Sequence, residues 1–344
     1  MSLAPTLAEA VAGTLPGGLV AVPVTPQDVP ELTELLRACE QAALGRTTTN
    51  AGEISQDLGR PSCQWGRGAL LVRRGTELVA AGFLYDELEE HHGVDVDPYV
   101  RPGDPQESHL VAALIRGLLA EGRRRAGALA ADPSAPAPLA KAGCYVGDTA
   151  LRSALLEAGF AEVRRFWRMR IDHDPASHEP SAGQRAPAEL SGGYVLRPFR
   201  TSDDAEWHAI HELGQRSFAE HFDFAPMSFD RWRGNVTGPT EDTQQWLVVE
   251  LDGRLAGFIR GSDRYASEGL GYIPTLGVDP AHRGRGLAGA LLRARFADDA
   301  GRGRAATLLH VDAENTTGAT RLYEAVGMHV EEEILAFHRP LLET

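Results

Sequence analysis

Leu276 to Gly289 reads LGVDPAHRGRGLAG, and the rest of the chain falls into place around it. An apolar run ends at Val278, Pro280 breaks it, and Arg283-Gly284-Arg285-Gly286-Leu287-Ala288-Gly289 opens a helix. Glycine lets backbone N–H groups approach a ligand with no Cβ in the way. The helix N-terminus adds the positive end of its dipole, and two arginines bring mobile charge. This describes an anion cradle suited to a diphosphate. A tight strand-to-helix turn would use the same glycines for geometry alone, but it does not require the arginines. No Gly-Lys-Ser/Thr follows, so the segment is not a Walker-type phosphate loop. The letters G-x-G-x-x-G are present in Gly284, Gly286 and Gly289, but no acidic partner stands at a strand end about 20 residues on, as the dinucleotide fingerprint requires.

Working outward, Tyr194 to Arg200 alternates like a strand, and Asp203-Asp204 supply a cap and an acidic first turn for a helix to about Ser217. QQWLVVEL and GRLAGFIRGS, joined by Asp252-Gly253, predict a hairpin. GLGYIPTLGV is the next strand. Pro274 inside it cannot donate to a ladder, so the strand must be bulged or unpaired on one side there. A helix from about Gly286 to Ala300, the strand ATLLHVDA, a helix from Gly318 to Ala325 and the closing segment HVEEEILAFHRPL follow.

V-x-P-x-x-R-G-R-G-L-A, followed by a strand, Asn315 and RLYEAVGM, resembles the GNAT superfamily of acyl-CoA N-acyltransferases over about Tyr194 to Leu341. The resemblance implies an α/β fold of two tandem GNAT-like domains, each a mixed, mostly antiparallel central sheet flanked by helices. It also implies that backbone groups of Leu276, Gly277 and Val278 pair with the pantetheine arm of acetyl-CoA like an added strand. Arg283, Gly284, Arg285, Gly286, Leu287, Ala288 and Gly289 would take the pyrophosphate, and Asn315 would bond the pantetheine. Tyr323 stands where the family often has the general acid that protonates the departing thiolate. A phenol near pKa ~10 and a thiol near ~8.5 are close enough for that transfer.

The general base is less well marked. Many family members carry a glutamate six residues before Val278, and Tyr272 occupies that position here. Glu268, four residues earlier and of the same strand parity, is a candidate that could act directly or through water; an exposed strand-end glutamate would look the same. His310 on the next strand is a further alternative. In the segment Ser217 to Trp232, Phe218, Phe222, Phe224, Phe229 and Trp232 are interleaved with Glu220, His221, Asp223 and Asp230. Phe218, His221, Phe222 and Trp232 are the candidate acceptor wall, suited to a cationic, partly apolar amine. His208 and His211 share a helix face, but no third ligand joins them at sensible spacing, so no metal is expected.

The first half repeats this order: Pro23 matches Pro198, Asp28 matches Asp203, and Gly159 matches Gly327. In place of the cradle it has Arg101-Pro-Gly-Asp-Pro-Gln-Glu-Ser-His109, with one glycine, two prolines lacking N–H groups, and two acids that would repel phosphate. Leu155 replaces the tyrosine. The expected organisation is a flexible leader over 1–18, a degenerate domain over 19–173, a Pro/Ala-rich linker over 174–190 and a catalytic domain over 191–344. The degenerate copy packs against the active domain, shapes its pocket or senses a small molecule.

With 344 residues the chain is about twice the length of an average domain, and 43% hydrophobic and 24% charged residues are ordinary for a folded protein. No apolar run reaches the ~18 residues of a membrane span, and the first 25 residues lack the pattern of a secretory signal, so a cytoplasmic protein without membrane association is expected. Three scattered cysteines argue against a disulfide framework. A net charge of −14 disfavours nucleic acid and anionic lipid. The expected activity is transfer of an acetyl group from acetyl-CoA to a primary amine of a small molecule, directly in a ternary complex, because no cysteine lies in the matched motifs. The rival is a non-catalytic acyl-CoA-binding regulatory protein, and acetylation of a protein amine is a third reading. The expected assembly is a monomer or a homodimer.

Overall fold

The computed structural model describes residues 6–87, 92–128, 137–174, 188–222, 224–238, 240–315 and 318–342. The chain forms two compact units, Met1–Arg165 with Glu333–Thr344, and Phe166–Glu332.

In chain order the first unit contains α1 (Leu7–Ala12), β1 (Val20–Pro23), α2 (Val29–Leu44), α3 (Ala51–Gly59), β2 (Ala69–Arg74), β3 (Glu77–Glu87), β4 (Gly93–Val100), α4 (Glu107–Ala128), β5 (Leu139–Tyr145) and α5 (Thr149–Glu157). β6 (Ala161–Asp172) runs from this unit into the second. There follow β7 (Ala188–Glu189), β8 (Val195–Pro198), α6 (Asp204–Phe218), α7 (Phe229–Asn235), β9 (Leu247–Leu251), β10 (Arg254–Ser262), β11 (Leu270–Val278), α8 (Leu287–Gly301), β12 (Ala306–Asp312), α9 (Ala319–Ala325) and β13 (His329–Pro340).

Each unit is a mixed, mostly antiparallel sheet between helices, as expected for two tandem GNAT-like domains. In the first, β1 through β5 pair in sequence order and β13 lies beside β5; the β4–β5 pair is parallel and the rest antiparallel. In the second the order is β6-β12-β11-β10-β9-β8-β7, and β11–β12 is the parallel pair. Alternation along the strands sends side chains to opposite faces. Leu247 and Val249 join the cluster with Leu287, Leu291 and Leu292 of α8, while Val248 joins Trp207, Ile210 and Leu213 of α6. The β9–β10 hairpin turns on Asp252 (φ 50°) and Gly253 (φ 75°), the left-handed pair that matches strand twist.

Two features differ from the sequence expectation. Residues 6–12 are not a flexible leader: Thr6 and Glu9 form a reciprocal capping box, and Leu7 and Val11 are wholly buried in the first unit's core. An apolar i, i+4 pair set among alanines had concealed a short amphipathic helix. The division of the chain also falls inside strands. The second half of β6 (Phe166–Asp172) pairs with β12 in the second unit, and Ile334–Pro340 of β13 pairs with β5 in the first. Each sheet is completed by the strand that chain order assigns to the other half. β6 and β13 are both twelve residues long and both follow a left-handed glycine, Gly159 (φ 82°) or Gly327 (φ 97°), so local pattern does not distinguish their destinations. Most of the predicted linker, 175–187, lies outside the described residues.

Candidate active site

The site begins with a failure of pairing. β11 and β12 are in register only from Leu270 opposite Ala306 to Ile273 opposite Leu309. Pro274 follows. From Thr275 to Val278, β11 is held from its other side by Arg260, Ile259, Phe258 and Gly257 of β10. The register slips between Arg260 and Ser262 opposite this point, which is the bulge the proline demanded. Thr275–Val278 therefore has no strand partner on its β12 side among the described residues. The two strands frame a cleft of about 750 Å³ that reaches the helix α8 loop. Gly277 permits close packing behind this edge, since a Cβ there would stand 2.6 Å from the Phe258 ring.

Gly284 (φ 74°) and Gly286 (φ 76°) both lie in the left-handed region, and nothing within 4 Å would meet a Cβ at either, so the backbone conformation is what demands glycine. Gly286 is the N-cap of α8 and supplies no side-chain acceptor, so no capping side chain occupies the first-turn N–H groups. Arg283, Gly284, Gly286, Leu287, Ala288 and Gly289 all line the cleft. The two arginines, both given to the pyrophosphate by the family resemblance, are placed differently. Arg283 donates from Nη2 to the Ser217 carbonyl at 3.0 Å, tying the loop to the end of α6. Arg285 is not among the lining residues and stands 5.9 Å over the Tyr194 ring, whose hydroxyl is 2.8 Å from Nδ1 of His282.

Asn315, just past β12, lines the cleft with its N–H donated to the Asp312 carbonyl at 3.1 Å. Tyr323 on α9 also lines it. The ring is buried in the second unit's core, and the hydroxyl has no hydrogen-bond partner among the described residues. Burial pushes the phenol up to about 12. At that value the group stays protonated throughout the physiological range. It serves a developing thiolate better by hydrogen bonding than by complete transfer of its proton.

The two candidates for the base part company. Tyr272 stays on β11 and its hydroxyl lies 3.2 Å from Nδ1 of His310, whose ring opens into the cleft. Surrounding protein disfavours the imidazolium, with Arg168 and Arg264 adding to the effect, so His310 is lowered to about 4 and is neutral at pH 7. Glu268 is not on the strand. It closes a 3-10 turn ending at left-handed Gly269, so the parity argument does not apply, and it is absent from the cleft lining. Its Oε1 accepts from the Ser267 hydroxyl at 2.9 Å.

Phe218, His221, Phe222 and Trp232 all line the cleft. Phe218 and His221 meet edge to face at 4.6 Å, and burial, with Arg283 nearby, lowers the His221 pKa. Of the interleaved acids, Glu220 and Asp230 do not line the cleft, and Asp223 lies outside the described residues. His208 stacks on Phe229 at 3.7 Å and His211 donates from Nε2 to the Met227 carbonyl at 2.8 Å, which gives both rings structural work. No group of three metal-ligating side chains occurs among the described residues, and none of their helices is long and apolar enough to cross a membrane.

The sequence reading missed Arg260. It is buried on β10 and lines the cleft, donating to Glu241 at 2.7 Å and lying 4.8 Å over the Trp246 ring. Its signal was a lone arginine in the apolar run of GFIRGS.

Residues 207–328 match the profile of the acetyltransferase (GNAT) family. The chain is 31% identical over 316 residues to a protein of Thermobispora bispora named mycothiol acetyltransferase, with 90% of this chain and 95% of that one covered. It is also 31% identical over 334 residues to a protein of the same name from Kineococcus radiotolerans, covering 95% of each. Among solved structures, a GCN5-related N-acetyltransferase from Sphaerobacter thermophilus superposes with a TM-score of 0.76 at 26% identity, over 96% of this chain and 98% of that one. A tandem GNAT protein from the clavulanic acid biosynthesis pathway shares the fold, with a TM-score of 0.65 at 17% identity over 95% and 99% of the two chains.

Proposed function

Because the chain belongs to the GNAT acetyltransferase family and is an acetyl-CoA-dependent acetyltransferase, we propose that the second unit's cleft moves the acetyl group to the primary amine of a small molecule by direct transfer in a ternary complex. The observation that carries this reading is the parting of β11 and β12 after Ile273 and Leu309. It puts a bare strand edge, a glycine-opened helix N-terminus and the Tyr323 hydroxyl on one cleft.

The residues present suit acetyl-CoA. The edge of Leu276, Gly277 and Val278 offers backbone groups to the amides of the pantetheine arm. Gly284 to Gly289, with Arg283, offers N–H groups and positive charge to the pyrophosphate, and Asn315 offers a side-chain amide. The cofactor brings an activated thioester, and its thiol is the leaving group. Tyr323 donates a hydrogen bond to the sulfur as negative charge develops there. The acceptor sits against Phe218, His221, Phe222 and Trp232. Its ammonium proton leaves through water and the neutral imidazoles on the cleft, His310 with Tyr272 behind it, and His221. Weakly basic imidazoles relay that proton and do not retain it.

The relatives' name makes a mycothiol-related amine the first acceptor to try. Release of CoA thiol should be followed with acetyl-CoA and a panel of small primary amines. Turnover that requires an amine and produces the N-acetyl product supports the reading. Tight acetyl-CoA binding with no turnover on any small primary amine would overturn this acceptor class.

A further inference from the structure

We propose that the first unit carries a second small-molecule site, a cleft of about 410 Å³ beside β4 and β5 that takes an organic ammonium ion and not a phosphorylated cofactor, with the Asp97 carboxylate as counter-ion.

The cleft arises as the active site does. β4 and β5 are paired only from Gly93 opposite Leu139 to Asp95 opposite Lys141, yet β4 continues to Val100 and β5 to Tyr145. The splay has been kept, while the anion cradle beside it has been filled by the protein's own carboxylates. The Gly103 N–H donates to Glu107 at 3.0 Å, and the Gln106 N–H donates to Asp104 at 2.8 Å. Arg74 grips Asp104 with two bonds, at 2.7 and 3.0 Å, and Arg101 spends its guanidinium on the Leu78 carbonyl. Pro102 and Pro105 have no N–H to offer. A phosphate would meet fixed negative charge and few donors.

The lining points to the opposite charge. It includes no lysine or arginine and four carboxylates. Three of these are engaged: Glu40 accepts from Thr48 and Thr49, Glu107 holds the loop, and Asp148 caps α5 through the Leu151 N–H at 2.9 Å. Asp97 has no hydrogen-bond or ion-pair partner among the described residues. Burial, reinforced by Asp57, raises its pKa to about 6, as befits a charge that the fold desolvates without compensation. A cation supplied by a ligand would provide that compensation. Tyr99 and Tyr145 add aromatic rings to the wall, which suit an ammonium-bearing organic molecule. The volume is that of a small organic ligand and far exceeds a bare ion, and no metal-ligating group of three occurs among the described residues.

The test uses the full chain with 4-bromobenzylammonium and its neutral analogue 4-bromobenzyl alcohol. Soaked crystals locate the bromine by anomalous scattering, and calorimetric titration gives affinities for wild type, Asp97→Asn and Asp97→Glu. Bromine is expected in the cleft beside Asp97 with the ammonium probe and not with the alcohol. Asp97→Asn should lose this site and weaken the corresponding affinity about ten-fold or more, with partial recovery in Asp97→Glu. Any binding of the probe at the second unit is common to all three proteins. The asparagine variant removes an unpaired charge, so it should melt no lower than wild type near neutral pH. Absence of bromine from this cleft at saturating probe, equal occupancy by the alcohol, or undiminished binding in Asp97→Asn would overturn the proposal. The ammonium–alcohol comparison in wild type decides it even if a variant fails to fold.

Discussion

The Tyr272 hydroxyl lies 3.2 Å from Nδ1 of His310, linking adjacent strands just before they part. A tyrosine thus stands on the strand position where the family resemblance leads one to expect a glutamate, and an imidazole beside it faces the cleft. The ring of His310 is held neutral, lowered to about 4 by its surroundings, with Arg168 and Arg264 adding to the effect.

That shift has a sign. An unfolded histidine titrates near 6.5, so between about 6.5 and 4 the native state binds fewer protons than the unfolded chain. The stabilising contribution is complete above 6.5 and is lost as pH falls through this window. Asp97, raised to about 6, is shifted with the opposite sign and offsets the net slope between about 6 and 4, so the contribution of His310 shows as a difference. The melting temperature of wild type minus that of His310→Gln should fall as pH drops from 7.5 to 4, with the background contributions of His173 and His221 common to both proteins.

Tyr323→Phe should lower kcat by about 10²-fold, the scale of a positioned proton donor, while the KM for acetyl-CoA stays within about three-fold. The melting temperature should scarcely move, because the hydroxyl has no partner among the described residues. With a phenol pKa near 12, no inflection from this group should appear in the pH–rate profile below about pH 9. An unchanged kcat in the variant would remove Tyr323 from the chemistry.

Gly286→Ala adds a methyl group that meets nothing within 4 Å, so its cost is purely conformational. Holding alanine at φ 76° costs about 1–2 kcal/mol of stability. Relief of that strain would swing the first-turn N–H groups, so calorimetry should show acetyl-CoA affinity falling by about ten-fold or more.

The two loop arginines should behave differently. Arg283→Ala removes charge from the cleft and releases the loop from the Ser217 carbonyl, and should weaken acetyl-CoA about ten-fold. Arg285→Ala, acting on a side chain over Tyr194, should weaken it by less than about three-fold. Equal losses in titrations of the two single variants would contradict this division.

Gly271→Ala tests a close approach away from the cleft. A Cβ at this β11 residue would collide with the Asp299 carboxylate, which cannot yield because Arg295 at 2.6 Å and Thr307 at 2.6 Å fix it inside the core. Denaturant titration should show a loss of about 3 kcal/mol, the upper range for overpacking.

Local patterns made much of this protein legible before any coordinates. Asp252-Gly253 specified a hairpin because both residues accept positive φ, Pro274 specified a break because it lacks a donor, and Arg283 to Gly289 specified a glycine turn that opens a helix. These are properties of a few consecutive residues. Glu268 misled because a period of two counts only while the chain stays extended, and a 3-10 turn at 266–268 resets it. Arg260 went unread because its importance comes from Glu241, Trp246 and the cleft, all brought to it by the fold.

By itself, the sequence determined most of the element order, the duplication and the glycine turn that opens α8, since each rests on propensities and spacings that act within one turn or one strand. Only the tertiary structure decided which sheet the strands β6 and β13 complete, which arginine enters the cleft, and that the first unit keeps a splayed cleft with a lone Asp97. Those outcomes depend on which surfaces meet across long stretches of chain, and burial and partner geometry at such contacts are properties of the folded chain alone.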